Sequence, residues 1–368
     1  MRKAILAIAL TGGMSWAQVE ASESRVDSLL REASRAERAG EYHKAIDLCD
    51  SASSIAVELW GPESAITFFI TEAQSAEKAG DYGTAKFSYR AAASLLSEQG
   101  SSDSAISLVA QFGKRCSQSG YLEHEAWAYR WMAVELLEAD RTQEALRYRD
   151  TLEALAITFS KDSSTYWSSG LAWRVVGDLE KARDSLDRAV RAYKLGGENL
   201  EKAGEYGDAA DAYWKAADVL ENAVKPDEAI ELCKISGQLF EKAGDYKCAA
   251  LVYEEAADIF MVSGKPDEAI KLCKISGQLY EKAGDYWNAE WTYEKLTNIL
   301  KEAGKPEEAL ELVEPLKSVA QQAEKAGEYW YAAEAYRKAA DILVEAGKAI
   351  EANALYMKYW ELKNKRNK

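Results

Sequence analysis

Between residues 265 and 283 the side chains Lys271, Lys274, Gln278 and Glu281 follow one another at steps of three, four and three. That spacing puts them on one face of a helix. The segment is built of Ala, Glu, Lys, Leu and Ile, strong helix formers, with no proline after its first turn. The same ladder returns as Glu231, Lys234, Gln238 and Glu241, as Arg191, Lys194, Glu198 and Glu201, and as Glu314, Lys317, Gln321 and Glu324. One polar face is thus copied several times, and a repeated helical unit is the first expectation.

Glycine punctuates those copies. The strings AERAGEY (36–42), AEKAGDY (76–82), EKAGEY (201–206), EKAGDY (241–246), EKAGDY (281–286) and EKAGEY (324–329) recur at intervals of 40 residues or close to it, apart from one gap between Gly80 and Gly204. Gly120 keeps the step inside that gap. A second series, Gly61, Gly100, Gly264, Gly304 and Gly347, falls halfway between, so the chain is marked about every 20 residues. Each interval is one helix. Glycine past the helix end can take the left-handed conformation that caps its carbonyls, and Asp245 or Asp285 can accept from the free N–H groups of the next helix. Pro226, Pro266 and Pro306 stand in first turns, where a missing N–H costs little. Turns this short force neighbouring helices antiparallel. The pattern predicts about eight helix pairs between Ser24 and Gly347 and a closing helix to Leu362.

The middle breaks the rule. Residues 160–177 lose the Gly-Asp-Tyr turn, residues 178–203 read as one longer helix through Gly196 and Gly197, and a change in the path of the solenoid is expected there. Pro315, after three extra residues, predicts a kink. The expected organisation is a leader over 1–17, repeats over 18–139, a divergent middle over 140–203, repeats over 204–347, and a closing helix with a disordered basic tail over 348–368.

Within each pair, Gly277, Tyr280, Gly284, Tyr286, Ala289 and Tyr293 fall at the spacing of the small and aromatic positions of the tetratricopeptide repeat (TPR). Gly237, Phe240, Gly244, Tyr246, Ala249, Tyr253 and Ala256 repeat it, as do Gly204, Tyr206, Ala209, Tyr213 and Ala216. The chain therefore resembles the TPR-like superfamily. Its 40-residue period is similar to that of soluble NSF attachment proteins and Pins-type scaffolds, although Cys233 and Cys273 stand where the family usually has tryptophan. The resemblance implies an all-α, right-handed superhelical solenoid of antiparallel helix pairs whose first helices line a concave groove. It also implies a scaffold or adaptor function without a catalytic site. The groove residues it points to are Lys194, Lys234, Gln238, Lys271, Lys274, Gln278, Lys317 and Gln321. At the same phase the amino-terminal half carries Leu30, Ile70 and Ala110, either as a less charged groove for an apolar partner or as better buried helices. A repeated charge ladder is more often a solvated face whose charges neutralise each other, which is the rival reading of these residues.

Composition narrows the partners. The 368 residues carry 46 Lys plus Arg against 61 Asp plus Glu, a formal net charge of −15, which repels phosphate backbones and makes nucleic acid a poor partner. A protein or peptide is the expected partner, with no cofactor. Neither His43 nor His124 has a Ser or Cys at catalytic spacing. Cys49, Cys116, Cys233, Cys248 and Cys273 show no zinc or disulfide spacing, and Cys233 and Cys273, at the same phase of successive repeats, read as small core residues. Trp127, Trp131, Trp167 and Trp173 read as core, with a stacking platform for sugar or peptide as the rival. The start, Met1-Arg2-Lys3 followed by an apolar run to Leu10 and small residues before Gln18, matches a secretory signal cleaved after Ala17 and is too short for a membrane span. Two further readings stay open: self-association through open solenoid ends, and a cytoplasmic attachment-protein-like adaptor for an ATPase that keeps its first 17 residues.

Overall fold

The computed structural model describes residues 16–39, 41–222 and 225–365, and among these the fold is helical without a strand. The chain divides into two compact units, Met1–Phe159 and Ser160–Lys368. The expected leader lies outside the described residues except for Trp16 and Ala17, which open the first helix.

The first unit holds α1 (Trp16–Arg38), α2 (Tyr42–Trp60), α3 (Pro62–Lys78), α4 (Tyr82–Glu98), α5 (Ser102–Ser119) and α6 (Leu122–Glu138). A composite helix follows, made of α7 (Thr142–Ala145), a 3₁₀ turn (Leu146–Tyr148) and α8 (Arg149–Phe159). The second unit holds α9 (Tyr166–Ala182), α10 (Leu186–Ala203), α11 (Tyr206–Asn222), α12 (Pro226–Ala243), α13 (Tyr246–Val262), α14 (Pro266–Ala283) and α15 (Tyr286–Glu302). After a 3₁₀ segment (Pro306–Leu312) come α16 (Val313–Ala326), α17 (Tyr329–Glu345) and α18 (Ala349–Lys365). In each unit consecutive helices pack on one another, as in a TPR-like solenoid.

The turns work as the glycine spacing predicts. Gly204, Gly244, Gly284 and Gly327 end their helices in the left-handed conformation. At the second of these, the Gly244 N–H donates to Glu241 O and the Asp245 N–H to Phe240 O, closing the last carbonyls of α12. Asp245 and Asp285 then accept from Cys248 N and Asn288 N.

Two expectations are corrected. Residues 178–203 are not one helix: α9 ends at Ala182, Asp184 takes φ 61, and α10 begins at Leu186. Asp140 does the same at φ 56, so aspartate replaces glycine at both marks and the punctuation continues through the middle. Pro315 falls in the first turn of α16, which follows directly on the 3₁₀ segment Pro306–Leu312. The basic tail is helical as far as Lys365, with Lys363 Nζ 2.7 Å from the Tyr359 hydroxyl.

The repeat packs through a small residue against an aromatic ring. A Cβ on Gly237 would lie 2.6 Å from the Tyr253 ring, and one on Gly277 would lie 2.6 Å from Tyr293. Only hydrogen fits between those helices. Trp173 is buried, and Trp127, Trp131 and Trp167 pack against core clusters, which favours the core reading over the stacking platform. The cysteines are free thiols, four buried and Cys248 half-buried.

Candidate functional site

The first helices of the pairs in the second unit are α10, α12, α14 and α16, and they carry the ladders. Lys194, Gln238, Lys271, Gln278 and Gln321 are exposed, while Lys234, Lys274 and Lys317 are half-buried. Their ammonium groups are engaged: Lys234 lies 2.9 Å from Glu231, Lys317 lies 2.7 Å from Glu314, and Lys274 reaches 3.0 Å across to Glu311 in the next repeat. A second set of bridges staples the same elements at their starts, with Lys225 on Asp187, Lys265 on Asp227 and Lys305 on Asp267 at 2.6–2.9 Å. The Lys305 ammonium holds the Asp267 carboxyl below the ordinary aspartate range. Such exposed pairs add little stability one by one, but they fix the register of neighbouring repeats.

The carboxylates at the carboxy-terminal end of the ladders have a different job from the solvated one expected. Glu241 is half-buried and accepts from the Tyr253 hydroxyl at 2.9 Å. Glu281 accepts from Tyr293 at 2.5 Å and from Ser318 at 3.1 Å. They satisfy the polar end of the ring that packs on Gly237 or Gly277, so burial and a neighbouring carboxylate push both tyrosine pKa values up.

Sequence reading missed the apolar part of this face. Ile235 and Ile275 are exposed, one residue after Lys234 and Lys274, with the half-buried Leu195 at the same place in α10. The signal was there as an isoleucine repeated at a 40-residue interval. Between α10 and α12 the face deepens into a hollow of about 300 Å³ whose lining includes Val190, Arg191, Lys194, Leu195 and Glu198. Farther along, Gln321 and Glu324 line another of about 390 Å³ with Tyr329 and Lys365.

Of the amino-terminal candidates, Leu30 falls elsewhere. Leu30 is 0% exposed and packs in the core of the first unit, so it lines no groove. Ile70 and Ala110 are half-buried and pack against core clusters. The physical reason at Leu30 is that its helix turns this phase toward the interior of its own unit.

Residues 164–345 match the family model of "Soluble NSF attachment protein, SNAP". The chain is TPR-like, and over those residues it resembles SNAP. No curated protein matches the TPR-like chain by sequence. Among solved structures it is similar to a signal-transduction ATPase with a tetratricopeptide repeat sensor from Pyrococcus horikoshii, at 13% identity and a TM-score of 0.46, covering 87% of this chain and 52% of that one. It therefore spans about half of that ATPase. It is also similar to a Rap protein complexed with competence and sporulation factor, at 14% identity and a TM-score of 0.43, covering 90% and 99% of the two chains. The apo form of RapI follows at 11% identity and 0.41, covering 82% and 98%.

Burial pushes the Cys116, Cys233 and Cys273 thiols up to about 12, far from a reactive thiolate. His124 is half-buried, edge-on to the stacked rings of Tyr82 and Tyr121, and burial, with the Lys86 ammonium nearby, lowers it to about 4. The side chain of His43 lies outside the described residues. Among the described residues no group of three or more His, Cys, Asp or Glu could hold a metal ion, and no helix is long and apolar enough to cross a membrane.

Proposed function

We propose that the chain is a non-catalytic interaction scaffold that takes a peptide or helical segment of a protein partner along the first-helix face of its second unit. The observation that carries this reading is the pairing of Ile235 and Ile275, exposed at equivalent places, with ladders of Lys and Gln on either side and a hollow beside Lys194. A purely solubilising face has no use for repeated exposed isoleucines. Apolar anchors inside a polar rim are what a helix or extended segment needs for affinity and register. The lysines are already paired, so the rim carries less net charge than its lysines alone would give it.

The test is to pan a displayed peptide library against the full chain and measure the selected peptides on variants. Ile235→Glu with Ile275→Glu should weaken them about tenfold or more, the equivalent of about 1.4 kcal/mol. Ala110→Glu in the first unit should leave them unchanged. Peptides that bind the double variant as well as the natural chain would sink the proposal.

The match over residues 164–345 favours one narrower reading, an attachment-protein-like adaptor for an ATPase. Mass spectrometry of the native amino terminus decides the compartment that reading needs. Met1 as the first residue supports it, and Gln18 means export and removes it.

A further inference from the structure

The second helices of the pairs carry a different surface. On α15 the exposed residues Trp287, Trp291, Glu294, Asn298 and Glu302 follow at steps of four, three, four and four, forming an outward ridge. Trp287 is 50% exposed, Trp291 49%, and Trp330, the counterpart of Trp287 on the neighbouring α17, 46%. None of these indoles is needed to close the core, which on α15 is made by Ala289, Tyr293, Leu296 and Leu300. One repeat earlier Lys247 and Leu251 stand where Trp287 and Trp291 do, and two repeats earlier Gly207 and Asp211. The repeat thus folds without tryptophan at these places.

The helices around the ridge are tied by charge. Lys295 bridges to Glu254 at 3.0 Å and Asp258 at 2.7 Å on α13, and Lys338 of α17 pairs with Glu290 and Glu294. Between α13 and α15 lies a hollow of about 390 Å³ lined by Asp258, Met261, Trp291, Glu294, Lys295 and Glu302 among others. Of the three carboxylates lining it, Asp258 is paired with Lys295 and Glu294 with Lys338, which leaves Glu302 in excess. The Lys295 ammonium sits 5.7 Å from the centre of the Trp291 ring, so the chain already uses that ring to hold a cation. Among the described residues Glu302 has no cation of the chain within ion-pair distance.

We infer that the ridge of Trp287, Trp291 and Trp330 is a second docking surface, and that its occupant is a basic amphipathic segment of a partner protein, whose Arg or Lys enters the hollow between Trp291 and Glu302. Its apolar side covers the indoles, which are the side chains most often found at energetic hot spots. The acidic excess of the hollow, on a chain of net charge −15, attracts that segment and repels anionic membranes and nucleic acid. This surface lies on the second helices, so it stands or falls independently of the first-helix groove.

The experiment uses the full chain and a synthetic amphipathic helix of Leu and Arg, followed by tryptophan fluorescence and calorimetry, with a Leu and Glu peptide of the same pattern as control. Binding should be lost about tenfold or more in Trp291→Ala with Trp287→Ala. In Glu302→Gln it should weaken about threefold and become less sensitive to salt. Ile235→Glu with Ile275→Glu should leave it unchanged. If the tryptophan variant melts early by circular dichroism, the exposed Glu302→Gln variant alone decides. Equal binding of the acidic peptide, no effect of the ridge variants, or loss in the isoleucine variant would each overturn the inference.

Discussion

From Ala189 to Leu362 the buried apolar residues of the second unit form one continuous core, whereas in the first unit they fall into separate clusters, one running from Val26 to Leu95, another from Ala73 to Met132 and a small one at Ala126, Leu155 and Phe159. The second unit uses one contact twice in full, a glycine under a tyrosine whose hydroxyl donates to a glutamate, at Gly237, Tyr253 and Glu241 and again at Gly277, Tyr293 and Glu281. The first keeps the hydroxyl half of that device at Tyr89 and Glu77, 3.1 Å apart, with Ala73 where glycine would be and Arg115 added at 2.8 Å from Glu77. It also buries Lys86 of α4 in an ion pair with Glu37 of α1. The second unit buries charge too, pairing Lys338 with Glu290 and Lys295 with Glu254, but its copies share one apolar core, whereas the diverged copies of the first unit do not. Burying such charged groups costs desolvation and holds only while each partner is present.

The largest test of that contrast removes one partner. Lys86→Leu leaves Glu37 without its cation and should destabilise the first unit by about 3 kcal/mol, read by hydrogen exchange as faster opening of α1 and α4 with α12 to α15 unchanged. Adding Glu37→Leu should recover most of the loss. Next comes the close approach in the second unit. Gly277→Ala forces the Tyr293 ring to move and should cost about 1–3 kcal/mol, with the effect confined to α14 and α15.

The histidine content separates the units by pH, since His43 and His124 both lie in the first. His124 is held neutral in the fold at about 4, below its ordinary value of 6.5, so between those values the unfolded chain binds more protons. Its contribution is complete above about 6.5 and is lost as pH falls toward 4. Because the ring is half-buried, up to about 2 kcal/mol is expected from the shift. Acid titration of exchange rates should show this in the first unit and show it removed by His124→Gln. The smallest effect tests the shared punctuation. Asp140→Gly and Asp184→Gly should each stabilise by up to about 1 kcal/mol, because glycine takes a positive φ without the Cβ penalty. A loss of stability in denaturant melts would mean that these aspartates are kept for their side chains.

Most of the fold is legible in the sequence because its signal is periodic. Glycine marks, first-turn prolines and Asp245 or Asp285 caps each name a helix end without tertiary knowledge. Reading fails where a different residue does the same backbone work, as Asp184 does. The candidate site is legible by half. Polar spacing finds the face, but it takes Glu241 and Glu281 for solvated residues because the tyrosine each one satisfies comes from the next helix. It takes Leu30 for a groove residue because phase alone does not say which way a diverged helix turns. The exposed Ile235, Ile275, Trp287 and Trp291 escape for the opposite reason, since apolar residues in a helix are read as core until neighbours show them uncovered.

The claim at the centre of the account is that the first-helix face of the second unit receives the partner, and photo-crosslinking tests it most directly. A benzophenone amino acid placed at Gln278, Glu302 or Ala110 of the full chain, irradiated with a library-selected peptide, should give an adduct from Gln278 and none from the other two. An adduct from Ala110 or Glu302 with none from Gln278 would contradict it.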